Sequence, residues 1–142
     1  MQHQEESYYV RYCRMGRRFE IIGGVIAGAA LLIGWATGLL GHPVILLPMW
    51  GGMLCLLFGV INMRPNNQIK SFAMQLQATC DRDFAQGLLE AMTGNGKTAL
   101  SGRSRTILAQ AIAAYAQSEG ADEEMAESLR AAMDKHIRPT LF

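Results

Sequence analysis

Residues 21–63 read IIGGVIAGAALLIGWATGLLGHPVILLPMWGGMLCLLFGVINM, a run of 43 residues without Asp, Glu, Lys or Arg. The triplet Gly41, His42 and Pro43 interrupts it near the middle. Each half holds roughly twenty apolar residues, and at ~1.5 Å rise per residue a helix of that length crosses a ~30 Å hydrocarbon core. The expected core of the fold is therefore a transmembrane hairpin, with spans at about 21–40 and 46–63. The lipid bilayer is the first partner that the sequence implies.

Charge flanking the run orients it. Arg11, Arg14, Arg17 and Arg18 precede the first span, Arg64 and Lys70 follow the second, and the connection between them carries none. By the positive-inside rule both termini are expected in the cytoplasm, with the chain integral to a plasma or inner membrane. A basic start before an apolar stretch also marks a signal peptide, but the stretch is too long and a second span follows at once, so retention is expected. Residues 1–20 form an amphipathic juxtamembrane arm. On a helix, Tyr8, Tyr12, Met15 and Phe19 share one face, while Arg11, Arg14 and Arg18 share another, which suits tyrosine rings and arginine stems lying among headgroups. The four arginines are the expected membrane-surface residues.

Small residues lie on one side of each span. Gly23, Gly24, Ala27, Gly28, Ala30, Gly34, Gly38 and Gly41 occupy a single arc of the first, with Gly24/Gly28 and Gly34/Gly38 at GxxxG spacing. Such spacing lets helix backbones approach closely where dispersion must replace the hydrophobic effect. In the second span Pro48, Gly51, Gly52, Cys55, Gly59 and Asn62 answer it, with Pro48 expected in the first turn. The expected helix-packing residues are Gly24, Gly28, Gly34, Gly38, Gly52, Gly59 and Asn62. They serve either contact within one hairpin, which the short connection favours, or self-association of copies into a homo-oligomer. Asn62 reads as a helix-to-helix hydrogen bond, since a conducting pathway needs a polar stripe that neither span has.

Past Arg64 and Pro65 the pattern becomes amphipathic. A cytoplasmic helical domain is expected over 66–142, with three helices at about 67–92, 104–119 and 122–138. Asn66 or Asn67 is the candidate first cap, Ser104 the second and Asp122 the third. The first helix would bury Ile69, Phe72, Leu76, Cys80, Phe84 and Leu88. In the third, Glu123 and Glu124 lie in the first turn and Lys135, His136 and Arg138 in the last, each sign suited to the helix dipole. The fold class is thus all-α, a two-helix transmembrane hairpin followed by a small three-helix domain.

Chemistry-bearing signals are sparse. Lys and Arg number 13 against 12 Asp and Glu, a net charge of +1, which removes the electrostatic case for nucleic acid. Cys13, Cys55 and Cys80 have neither disulfide nor metal spacing. His3, His42 and His136 are too scattered for a ligand set. Residues 91–98, AMTGNGKT, match a loose phosphate-loop pattern, but a helix precedes them where a strand is required, and a helix C-cap with its turn accounts for the same residues. No enzyme activity and no cofactor are expected. A non-enzymatic membrane adaptor or scaffold, whose cytoplasmic helices bind a protein partner, is the leading expectation. An oligomeric pore-forming or membrane-perturbing protein is the alternative from another class.

Overall fold

A computed structural model describes residues 6–140. His3 and the first residues of the arm lie outside them. The described chain is 81% helical, with six helices. Their order is α1 (Tyr8–Thr37), α2 (Pro43–Met63), α3 (Pro65–Thr79), α4 (Arg82–Gly94), β1 (Thr98–Leu100), α5 (Gly102–Gln117), α6 (Glu123–His136) and β2 (Ile137–Pro139). The chain divides into two compact units, 12–63 and 1–11 with 64–142, so the boundary falls inside α1.

In the first unit the remainder of α1 pairs with α2. Both helices are long and apolar enough to cross a membrane. The arm and first span expected as separate pieces form one continuous helix, because nothing in residues 8–37 breaks it. It stops at Thr37, since Gly38 turns left-handed at φ 71° and Leu39 donates its N–H back to the Gly34 carbonyl at 2.9 Å. The turn, residues 38–42, lies three residues earlier than the expected connection. His42 closes it, accepting the Val44 N–H on Nδ1 at 3.3 Å, and Pro43 takes the first helical position. Pro48 therefore sits inside α2 rather than in its first turn.

The side chains of this unit are distributed opposite to those of a water-soluble protein. Its buried residues are Gly16, Gly23, Ala30 and Gly34 on α1 and Ile45, Gly52 and Gly59 on α2. Large apolar groups point away, with Trp35 75% and Leu47 74% exposed. Apolar surface on this scale is what a hydrocarbon solvent tolerates and water does not.

The second unit has a conventional core. Ile69, Phe72 and Leu76 of α3 are buried with Leu88 and Met92 of α4 and Leu108 and Tyr115 of α5, and Leu129 of α6 is buried where α6 packs on α4 and α5. Four helices build it where three were expected, because the helix foreseen over 67–92 is two. Cys80 takes a left-handed conformation, φ 51°, and its N–H bonds the Leu76 carbonyl at 2.7 Å. Asp81 then caps α4 by accepting the Asp83 N–H at 3.1 Å. The apolar spacing Leu76, Cys80, Phe84 and Leu88 runs on across the break, and so concealed it. Cys80 and Phe84 are only half-buried.

Other boundaries move for similar local reasons. Arg64 is the N-cap of α3 with Pro65 at its first position, so neither Asn66 nor Asn67 caps. Ser101 rather than Ser104 caps α5, its hydroxyl accepting the Ser104 N–H at 3.3 Å. Asp122 caps α6, accepting from Glu124 N–H at 3.1 Å, and Glu123 and Glu124 fill the first turn against Lys135 and His136 in the last. Beyond His136 the chain extends into β2, which pairs in parallel with β1 through Thr98 with Ile137 and Leu100 with Pro139. Three-residue strands are too short to show any alternation in sequence.

Candidate functional site

The hairpin seam is where the structure places sequence-selected residues most closely together. On both helices the buried positions recur every seven residues, at 16, 23 and 30 on α1 and at 45, 52 and 59 on α2. A seven-residue repeat keeps one face in register along two helices that run side by side. Contact is between backbones. A Cβ built on Gly23 would stand 2.5 Å from the Leu56 nitrogen and 2.6 Å from the Gly52 carbonyl oxygen. One on Gly52 would stand 2.6 Å from the Ala27 nitrogen, and one on Gly59 2.9 Å from the Gly16 oxygen.

The expected packing glycines divide accordingly. Gly52 and Gly59 lie at the seam, and Gly34 meets the Ile45 side chain at 2.7 Å. Gly24 lies at its margin, 3.7 Å from Leu56 Cδ1. Gly28 has nothing within 4 Å, and Gly38 belongs to the turn. Gly28 and Gly38 are thus not hairpin contacts, because the four-residue spacing that selected them rotates off a seam that follows a seven-residue period. Gly51 is open too, and Pro48 is exposed. Gly23 lies on the small-residue arc but is not among the expected packing residues, and Gly16 lies outside the expected span. Seven-residue spacing of Gly16, Gly23 and Ala30 on α1, matched by Gly52 and Gly59 on α2, is the signal that finds them.

Asn62 lies at the end of this seam. The Tyr12 hydroxyl lies 3.2 Å from its Oδ1 and 3.3 Å from its carbonyl oxygen, while its Nδ2 donates to the Phe58 carbonyl at 2.8 Å. The only side-chain amide of α2 therefore joins α1 to α2. Phe19 meets Phe58 edge-on, with centroids 5.5 Å apart. Of the arginines, Arg14, Arg17 and Arg18 lie exposed on this stretch of α1.

Arg11 belongs to the other unit, where its guanidinium lies over the Tyr8 ring at 5.9 Å. The tyrosines beside it, expected to face a membrane surface, make ring contacts within this unit. Tyr8 packs edge-on against Phe84 with centroids 5.0 Å apart, Tyr9 tilts against Phe72 at 6.2 Å, and Ser7 donates to Glu90 Oε2 at 2.7 Å. Aromatic pairs of this kind add apolar contact to a helical core this small.

Residues 91–98 run from the end of α4 through a turn at 95–97 into β1. Asn95 folds back to donate to the Ala91 carbonyl at 2.8 Å and to the oxygen of the buried Gln68 amide at 3.1 Å. Gly96 takes φ 67°, and its carbonyl receives His136 Nδ1 at 3.2 Å. The order is helix, turn and strand, and the exposed Lys97 precedes β1. A phosphate loop needs the reverse order, with amides gathered at a helix N-terminus. Among the described residues no group of three His, Cys, Asp or Glu side chains is placed to hold a metal. One shallow groove of about 330 Å³ lies between α5 and α6, lined by Ala109, Ile112, Ala113, Arg130, Met133 and Asp134. Compared with family models, curated proteins and solved structures, the chain gives no match.

Proposed function

We propose that this chain is a non-enzymatic membrane adaptor, held in a plasma or inner membrane by the α1/α2 hairpin with both termini cytoplasmic, and presenting its second helical unit to a protein partner. The observation that carries the reading is the contrast between the two units. One turns glycine inward and tryptophan, leucine and isoleucine outward; the other buries leucine, isoleucine, phenylalanine and methionine and exposes charge. Lipid suits the first arrangement and water the second. The groove between α5 and α6 offers a floor of Ile112 and a flexible Met133, with Arg130 and Asp134 to orient a polar rim. An apolar side chain on a partner helix fits that chemistry.

The test uses the full chain in intact cells. Gly41 in the turn and Arg103 in α5 are exposed, so single cysteines there, in a background lacking the native three, report each side. Gly41→Cys should label with an impermeant maleimide from outside, and Arg103→Cys only after permeabilisation. Labelling of both from outside would refute the topology. A photocrosslinker at Ala113 should give one discrete adduct that is absent when placed at Arg103. Dye release from vesicles holding the purified chain would instead establish the pore.

A further inference from the structure

We propose that the groove formed by Met15, Arg18, Phe19 and Ile22 on α1 is a binding site for one anionic phospholipid. The inference rests on the membrane reading above and adds to it a defined site and a ligand class. The four residues fall at i, i+3, i+4 and i+7, an arc of roughly 100° with Arg18 at its edge beside the arginine face, and enclose about 280 Å³ with apolar walls. Met15 is 61% and Ile22 54% exposed, so the groove is open to a chain-shaped ligand from outside the helix pair.

Its position relative to charge decides the occupant. Ile26 and Ile33, both exposed, continue the same face toward the middle of the span and form an apolar track for an acyl chain. At the other end is Arg18. Helical side chains lean toward the N-terminus, which carries its guanidinium away from the uncharged run and into the headgroup layer. Arg14, one turn earlier, lies on the same flank. A phosphate there meets two cations above an apolar trough, an arrangement complementary to a lipid that is anionic at the head and apolar below. Phe19, held by its edge contact with Phe58, fixes one wall. Arg17 lies roughly 150° around the helix from the centre of the groove and serves as an internal control.

The experiment compares the full chain with Arg18→Gln, Arg17→Gln and Phe19→Ala by native mass spectrometry from detergent micelles supplied with equal phosphatidylglycerol and phosphatidylcholine. Circular dichroism confirms an unchanged helix content for each. The parent should retain one phosphatidylglycerol in preference to phosphatidylcholine. Arg18→Gln should lower its apparent affinity about five-fold, the effect of one basic residue at an anionic surface. Phe19→Ala should weaken it as well, while Arg17→Gln matches the parent. Equal loss in Arg17→Gln and Arg18→Gln would reduce the effect to diffuse charge and overturn the site, as would equal retention of both lipids. Flotation with phosphatidylcholine liposomes after carbonate washing separates the two readings. A chain that floats but shows no lipid preference refutes the site alone, whereas a chain that washes off refutes the membrane reading.

Discussion

Replacing Gly52 by Ala should weaken the hairpin although alanine is the better helix former. The new Cβ would lie 2.6 Å from the Ala27 nitrogen and 2.8 Å from the Gly23 oxygen, both of them backbone atoms that no rotamer change can move. Relief requires the helices to separate by several tenths of an ångström along a seam whose other contacts are equally close. Overpacking of this kind costs about 1–3 kcal/mol. The Gly to Ala gain in helix propensity, about 1 kcal/mol, opposes it. Gly28→Ala supplies the same gain without the clash, since nothing lies within 4 Å of its Cβ. The difference between the two variants thus isolates the steric cost, expected at about 1–3 kcal/mol. Gly23→Ala should resemble Gly52→Ala. Gly16→Ala should be milder, because its obstacle is the Met63 thioether at 2.7 Å, the flexible end of a side chain. Equilibrium unfolding of the full chain in mixed micelles, followed by circular dichroism, gives the ranking. Equal stability of Gly52→Ala and Gly28→Ala would refute the seam.

Further outcomes follow from single contacts. Cys80 is the one non-glycine residue among those described with positive φ, so Cys80→Val should destabilise the second unit by about 1–2 kcal/mol, while Cys80→Gly should be tolerated in the same thermal melt. Tyr12→Phe and Asn62→Leu should be non-additive, with a coupling of about 0.6 kcal/mol typical of hydrogen bonds between membrane helices, measured by a double-mutant cycle; strict additivity would remove the bridge. Leu129→Asp puts an unpaired charge at a fully buried position and should abolish the cooperative melt of the second unit. Lys97→Ala, in an exposed turn, should shift stability by less than ~0.5 kcal/mol; ATP or GTP binding that disappears in this variant would restore the phosphate-loop reading.

The order of residues alone determined that two helices of membrane-crossing length exist, that they follow one another through a tight turn, and that an amphipathic helical unit succeeds them. Those features depend on local quantities: an uncharged run, a Gly and Pro break, and a 3.6-residue period. Asp122 was legible as a cap because it stands directly before an acidic first turn. Tertiary structure decided the rest. Many small residues share one arc of α1, and only the position of α2 selects Gly16, Gly23 and Gly34 for contact while leaving Gly28 open. The reversal at Cys80 was hidden because its apolar spacing continued on both sides of the bend, and a left-handed cysteine has no compositional mark. Tyr8 and Tyr9 likewise share a helix with the span, yet they pack on Phe84 and Phe72, residues more than sixty positions away. Periodicity states which side of a helix is apolar; which neighbour covers that side is a property of the folded chain, because it depends on contacts between segments distant in sequence.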